Sequence, residues 1–132
     1  MSIESEILES YKVVAVVGLS PNPERESHRV GKYMKEQGYR IIPVNPTAKE
    51  VLGEVCYPDL LAVPESVEVV DIFRRSEDVP PIVEQAIKVH AKAVWMQEGI
   101  VNEEAAAVAR QAGVLVVMDR CIKKAHEELV GE

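Results

Sequence analysis

A chain of 132 residues, 47% hydrophobic and 28% charged, is the size and composition of one ordinary globular domain with its own core. Its net charge of −7 argues against nucleic acid or an anionic membrane as partner, and no apolar run approaches the roughly 18 residues of a membrane span. The acidic start, MSIESEILES, lacks the basic region of a secretory leader, so the chain reads as cytoplasmic.

Ile3, Ile7, Leu8 and Tyr11 recur at helical spacing and predict a short opening helix. Val13–Val17 is a continuous apolar run, the pattern of a strand covered on both faces. After a polar loop, Val30, Tyr33, Met34 and Gln37 mark a helical stripe that ends at Gly38. Arg40–Val44 reads as a second strand, closed by Asn45-Pro46. Residues 47–66 are irregular, broken by Gly53, Pro58 and Pro64, with one helical turn predicted at 58–61. Residues 67–73 form a third strand, and 76–81 resemble a helix entrance with proline in its first turn. The inner face of that helix is assigned to Val83, Ala86, Ile87 and His90. Ala93–Met96 is a fourth strand, and Asn102 caps an alanine-rich helix ending at Gly113. A fifth strand spans 114–118. Asp119 is placed to cap a last helix that faces inward through Ile122, Ala125, His126 and Leu129. This strict alternation predicts one domain over 1–132, an α/β doubly wound, Rossmann-like fold with a five-stranded parallel sheet and helices on both faces.

Ligands of such sheets sit beyond the carboxyl ends of the strands. The loop after the first strand, GLSPNPERES, keeps Gly18 but lacks the further glycines of a dinucleotide loop. Ser20 and Ser27 offer hydroxyls, with Ser27 a candidate helix cap, and Arg25 offers a bidentate clamp for a phosphate at a helix start. The second strand ends in Val44-Asn45-Pro46, with no carboxylate before Glu50. An adenosine ribose bound through free hydroxyls calls for that carboxylate, so NAD is disfavoured; NADP and coenzyme A, which carry a ribose phosphate, remain. Cys56 and Cys121 are too far apart in sequence to suggest a pairing motif, and with His28, His90 and His126 they form no metal-ligand spacing, so no metal is expected. No Ser–His–Asp or paired-carboxylate pattern is readable either, and His90 reads as a packed core histidine.

The segments VVGLSPNPERESHRVGKYMKEQGYRIIPVNP, VLGEVCYPDL, VEVVDIFRRSEDVP and VWMQEGIVNEEAAAVARQAGVLVVMDRC, in this order, resemble the small stand-alone CoA-binding protein family. That family is similar to the CoA-binding domain of the succinyl-CoA synthetase α subunit. The resemblance implies that Gly18, Ser20, Arg25 and Ser27 wrap the CoA pyrophosphate and that Val44, Asn45 and Pro46 border the adenosine. It also implies that Phe73 and Arg74 line the pantetheine path or touch its phosphates, while Gln97 and Gly99 match the family segment after the fourth strand. The synthetases' phosphorylated histidine belongs to a second domain absent from these 132 residues. The expected function is therefore binding of CoA or an acyl-CoA without turnover, as a carrier, sensor or ligase-associated module. An NADP-binding oxidoreductase is the alternative, weakened by the lack of a Tyr–Lys pair. A response-regulator reading falls because Leu19-Ser20 and Phe73-Arg74 stand where acids are required. Cys121, beside Arg120 at a helix start, is a candidate thiol near the ligand, against the plainer reading of a packed cysteine. The acyl group, a homodimer and a partner ligase subunit all stay open.

Overall fold

A computed structural model describes residues 2–131. The predicted parallel sheet is present: β1 (Val13–Val17), β2 (Arg40–Val44), β5 (Val69–Ile72), β6 (Ala93–Met96) and β7 (Leu115–Val117), in the order β2-β1-β5-β6-β7. Between β2 and β5 lies a small antiparallel hairpin, β3 (Glu50–Val51) and β4 (Glu54–Val55), in the region that sequence alone left irregular. The chain leaves β1 toward β2 on one side and later returns to β5 on the other. The strand order therefore switches between β1 and β5, and their carboxyl ends part to form a crevice.

Among the described residues five α-helices cover the sheet: α1 (Ile3–Ser10), α2 (Glu26–Glu36), α3 (Val79–Lys88), α4 (Glu103–Gln111) and α5 (Ile122–Val130). Alternate strand residues point to opposite faces. Ala15, Ile42, Val70, Ile72, Val94 and Met96 pack toward α3 and α4. On the other face Val14, Val16, Ile41, Val69 and Trp95 meet α1, α2 and α5 through Ile7, Leu8, Val30, Met34 and Ile122. Each buried aliphatic side chain of this kind contributes about 1.5–3 kcal/mol, which holds the strand ends in register with the loops that follow them.

Several local expectations need correction. The third strand is shorter than 67–73, running from Val69 to Ile72. His90 is exposed rather than packed in the core: α3 ends at Lys88, and His90 takes the left-handed conformation (φ 61°) just beyond the helix. Asp119 does not cap α5, whose N-cap is Cys121; it too is left-handed (φ 56°), and its Oδ1 accepts the Gly99 N–H at 2.7 Å. The α5 start is capped from across the sheet instead, by Gln97 Oε1 accepting the Ile122 N–H at 3.1 Å. Ser27 lies one residue inside α2, where Arg25 is the N-cap.

On the α1–α2–α5 face His126 is buried at 6% exposure, with Tyr33 Oη 2.8 Å from its Nδ1 and Tyr39 edge-on to its ring. With Nδ1 unprotonated the phenol donates to it. Burial first, and the Lys12 ammonium second, hold the imidazole below its ordinary 6.5 against the opposing Glu127. The unfolded chain therefore takes up a proton before the folded one does. This stability is fully present above pH about 6.5 and is lost as pH falls toward the folded value. The thermal midpoint of the wild type is expected to drop more between pH 7 and 5 than that of His126→Gln, which keeps an acceptor for Tyr33. Parallel midpoint curves for the two proteins would contradict this.

Candidate functional site

The crevice at the switch point is a cleft of about 420 Å³ lined by Gly18, Ser20, Arg25, Ser27, Asn45 and Thr47, with Phe73 and Arg74 on the β5 side. Seven of the residues singled out in the sequence thus converge from three separate strand ends. Gly18 closes β1 by donating to the Val44 carbonyl at 2.8 Å, and its φ of 91° is one that residues with side chains rarely adopt. A Cβ there would overlap the Phe73 carbonyl oxygen and come 3.3 Å from the Arg74 guanidinium. The missing side chain is what lets the first loop lie against the end of β5.

The loop is fastened internally. Ser27 Oγ accepts the Ser20 N–H at 3.0 Å, Ser20 Oγ accepts the Asn22 N–H, and Asn22 Oδ1 accepts the Glu24 N–H. His28 Nδ1 lies 2.8 Å from the Ser20 carbonyl, which fits a protonated Nδ1 donating to it. Each serine oxygen used as an acceptor leaves its own proton to donate, so Ser20 and Ser27 retain one donor each for an anion. The N–H groups of Glu26 and Ser27, at the start of α2, meet no acceptor among the described residues. Asn45 ties the second wall to the first, its Nδ2 donating to the Leu19 carbonyl at 3.1 Å while its Oδ1 receives the Thr47 N–H and hydroxyl. Thr47, Pro21 and Glu26 are wall residues that sequence reasoning did not single out.

Arg25 is exposed and Arg74 half-buried, and neither is in an ion pair among the described residues. Arg74 also borders a second, apolar pocket of about 280 Å³ walled by Val17, Val44, Pro46, Leu60, Pro81 and Ile82. Val44 and Pro46 therefore belong to this neighbouring pocket rather than to the polar cleft. The contributions of Leu60, Pro81 and Ile82 come from a 3₁₀ turn and from α3, which lie outside any strand-end pattern. A polar cleft and a largely apolar pocket thus share one cation, Arg74, at their border.

Three expected residues stand apart from the cleft. Gln97 is 3% exposed and engaged with α5, and Gly99 is in the loop held by Asp119. Cys121 is 2% exposed and lines a separate pocket of about 160 Å³ with Arg29 and Lys124, joined to the cleft only through their shared residue Glu26. Cys56 and Cys121 are both free thiols. The ligating atoms of Glu26, Glu98 and Cys121 lie within 4.8 Å of one another, a grouping that sequence spacing hid because it draws on three distant segments. Lys124 already holds both oxygens of Glu98 there, at 3.1 and 3.2 Å. Among the described residues no helix is long and apolar enough to cross a membrane.

Comparison with known proteins bears on the fold and the family. The uncharacterized protein YneT of Bacillus subtilis is 46% identical over 121 residues, spanning 92% of this chain and 90% of that protein. A hypothetical protein from Pyrococcus horikoshii OT3 of known structure shares the fold at a TM-score of 0.94 and 48% identity, covering 97% of this chain and 90% of its own. The ADP-forming acetate–CoA ligase I of Archaeoglobus fulgidus is 30% identical over 128 residues, which is 89% of this chain but only 19% of the ligase. The model of the CoA binding domain matches residues 12–127, from the residue before β1 into α5 and across every loop that builds the cleft, and the chain belongs to that family.

Proposed function

We propose that the protein binds coenzyme A or an acyl-CoA at the switch-point cleft and does so without turnover, as a carrier, sensor or ligase-associated module. The observation that carries this reading is the pairing of a polar cleft, furnished with two unpaired arginines and a free helix start, with an apolar pocket across Arg74. The pyrophosphate lies against Gly18, Ser20, Ser27 and the α2 start, with Arg25 and Arg74 supplying charge. The adenine enters the apolar pocket beside Val44 and Pro46, and the pantetheine leaves over Phe73 toward the open depression bordered by Arg75 and Ile100. The end of β2, Asn45-Pro46-Thr47, carries no carboxylate to grip free ribose hydroxyls, which favours a ligand with a ribose phosphate. The family match favours CoA over NADP among such ligands.

Titration calorimetry with CoA, acetyl-CoA, dephospho-CoA, NADP and NAD tests the reading. Saturable binding of CoA is expected, weaker binding of dephospho-CoA, and a loss of about tenfold in affinity for Arg25→Ala, or about 1.4 kcal/mol. Binding of NADP with none of CoA would overturn it.

A further inference from the structure

Beneath the cleft, on the face covered by α1, α2 and α5, two buried side chains carry polar atoms without partners. Asp71 lies in the middle of β5 at 1% exposure, and neither of its carboxyl oxygens has a hydrogen-bond partner. Gln97 follows β6 at 3% exposure; its Oε1 is taken by Ile122, but its Nε2 has no acceptor. Asp71 sits opposite Trp95 in the β5–β6 register, so Gln97, two residues further on, lies on the same face of the neighbouring strand. At ~3.3 Å per residue and ~4.8 Å between strands, that diagonal spans roughly 8 Å between Cα atoms. That span is within reach of a direct contact, yet no hydrogen bond joins the two heads, which leaves their three polar atoms to a third group.

We propose that Asp71 and Gln97 hold one buried water between them, and that Asp71 is thereby a positioning residue for the start of α5. The three partnerless atoms are two carboxyl oxygens and one amide nitrogen, close to the roughly three hydrogen bonds that a buried water makes. Burial pushes the Asp71 carboxyl well above its ordinary 3.8, which favours the neutral acid, able to donate to the water as well as accept from it. The water fixes Nε2 and so the orientation of the Gln97 amide. The other end of that amide caps α5, which has no side-chain cap of its own. Two strand ends and one helix start are thereby tied together directly below Phe73.

The test is amide hydrogen exchange at Ile122, referred to Val14 in β1, together with water-to-amide Overhauser contacts at the Gln97 side chain of the wild type. A long-lived water contact is expected at Gln97. In Asp71→Leu, which keeps the branched shape but removes the oxygens, Ile122 protection relative to Val14 should fall about tenfold or more. Asp71→Asn, which keeps a partner for the water, should stay within about threefold of wild type. No water contact at Gln97, or unchanged Ile122 protection in Asp71→Leu, overturns the proposal. If Asp71→Leu does not fold, the wild-type water contact decides alone.

Discussion

Gly18→Val should destabilise the protein by about 2–5 kcal/mol and lower its thermal midpoint by roughly 10 °C or more. Two costs add. Holding a β-branched residue at φ 91° is strained by about 1–3 kcal/mol, and the new Cβ overlaps the Phe73 carbonyl oxygen, a backbone atom that cannot rotate away. Relief requires moving either the first loop or the end of β5, and both are cleft walls. Urea unfolding should show the lower stability, and whatever folded protein remains should have lost affinity for CoA. A midpoint within about 2 °C of wild type would mean that Gly18 does not hold the loop against β5 as described.

Arg74→Ala is the second large effect, and here the readout is binding. Arg74 is half-buried, free of any ion pair among the described residues, and stands on the border of the polar cleft and the apolar pocket. A phosphate beside it would form charge-assisted hydrogen bonds shielded from water, worth about 1.5–3 kcal/mol, so CoA affinity should fall roughly ten- to a hundredfold. That exceeds the effect expected at Arg25, which is exposed and more strongly screened. Arg74→Lys should recover only part of the loss, because an ammonium cannot make the planar two-pronged contact. Calorimetry on the three proteins checks the order. Equal affinities in wild type and Arg74→Ala would remove Arg74 from the site.

The strands were legible because each is dominated by β-branched and other apolar residues, and the alternation of strands with helices fixed the parallel architecture. The β3–β4 hairpin was not, because its two-residue turn is Leu52-Gly53 with φ of 56° and 75°, where the recognisable turn sequences put asparagine or aspartate first. His90 was misplaced for a related reason: helical periodicity carried it onto the inner face of α3, but the chain had already left the helix. At the candidate site, the rule that ligands sit at strand carboxyl ends singled out Gly18, Ser20, Arg25, Asn45, Phe73 and Arg74, which the fold gathers around one cleft. It could not find Leu60, Pro81 and Ile82, which reach the apolar pocket from a turn and a helix. The same rule over-reached at Gln97 and Gly99, where the strand ends are occupied with holding α5 and Asp119. Asp71 escaped notice because one acid in VVDIF does not disturb a strand pattern, and only tertiary structure shows its oxygens without partners.

The most direct measurement of the central claim is a two-dimensional amide spectrum of the protein titrated with CoA. Saturable shifts are expected at Gly18, Ser20, Glu26, Ser27, Thr47 and Phe73, with smaller ones around Leu60 and Ile82 and none at Glu9 or Leu129 on the α1–α5 side. Saturable binding whose shifts leave the first loop and the end of β5 unmoved, or an unchanged spectrum at millimolar CoA, would contradict it.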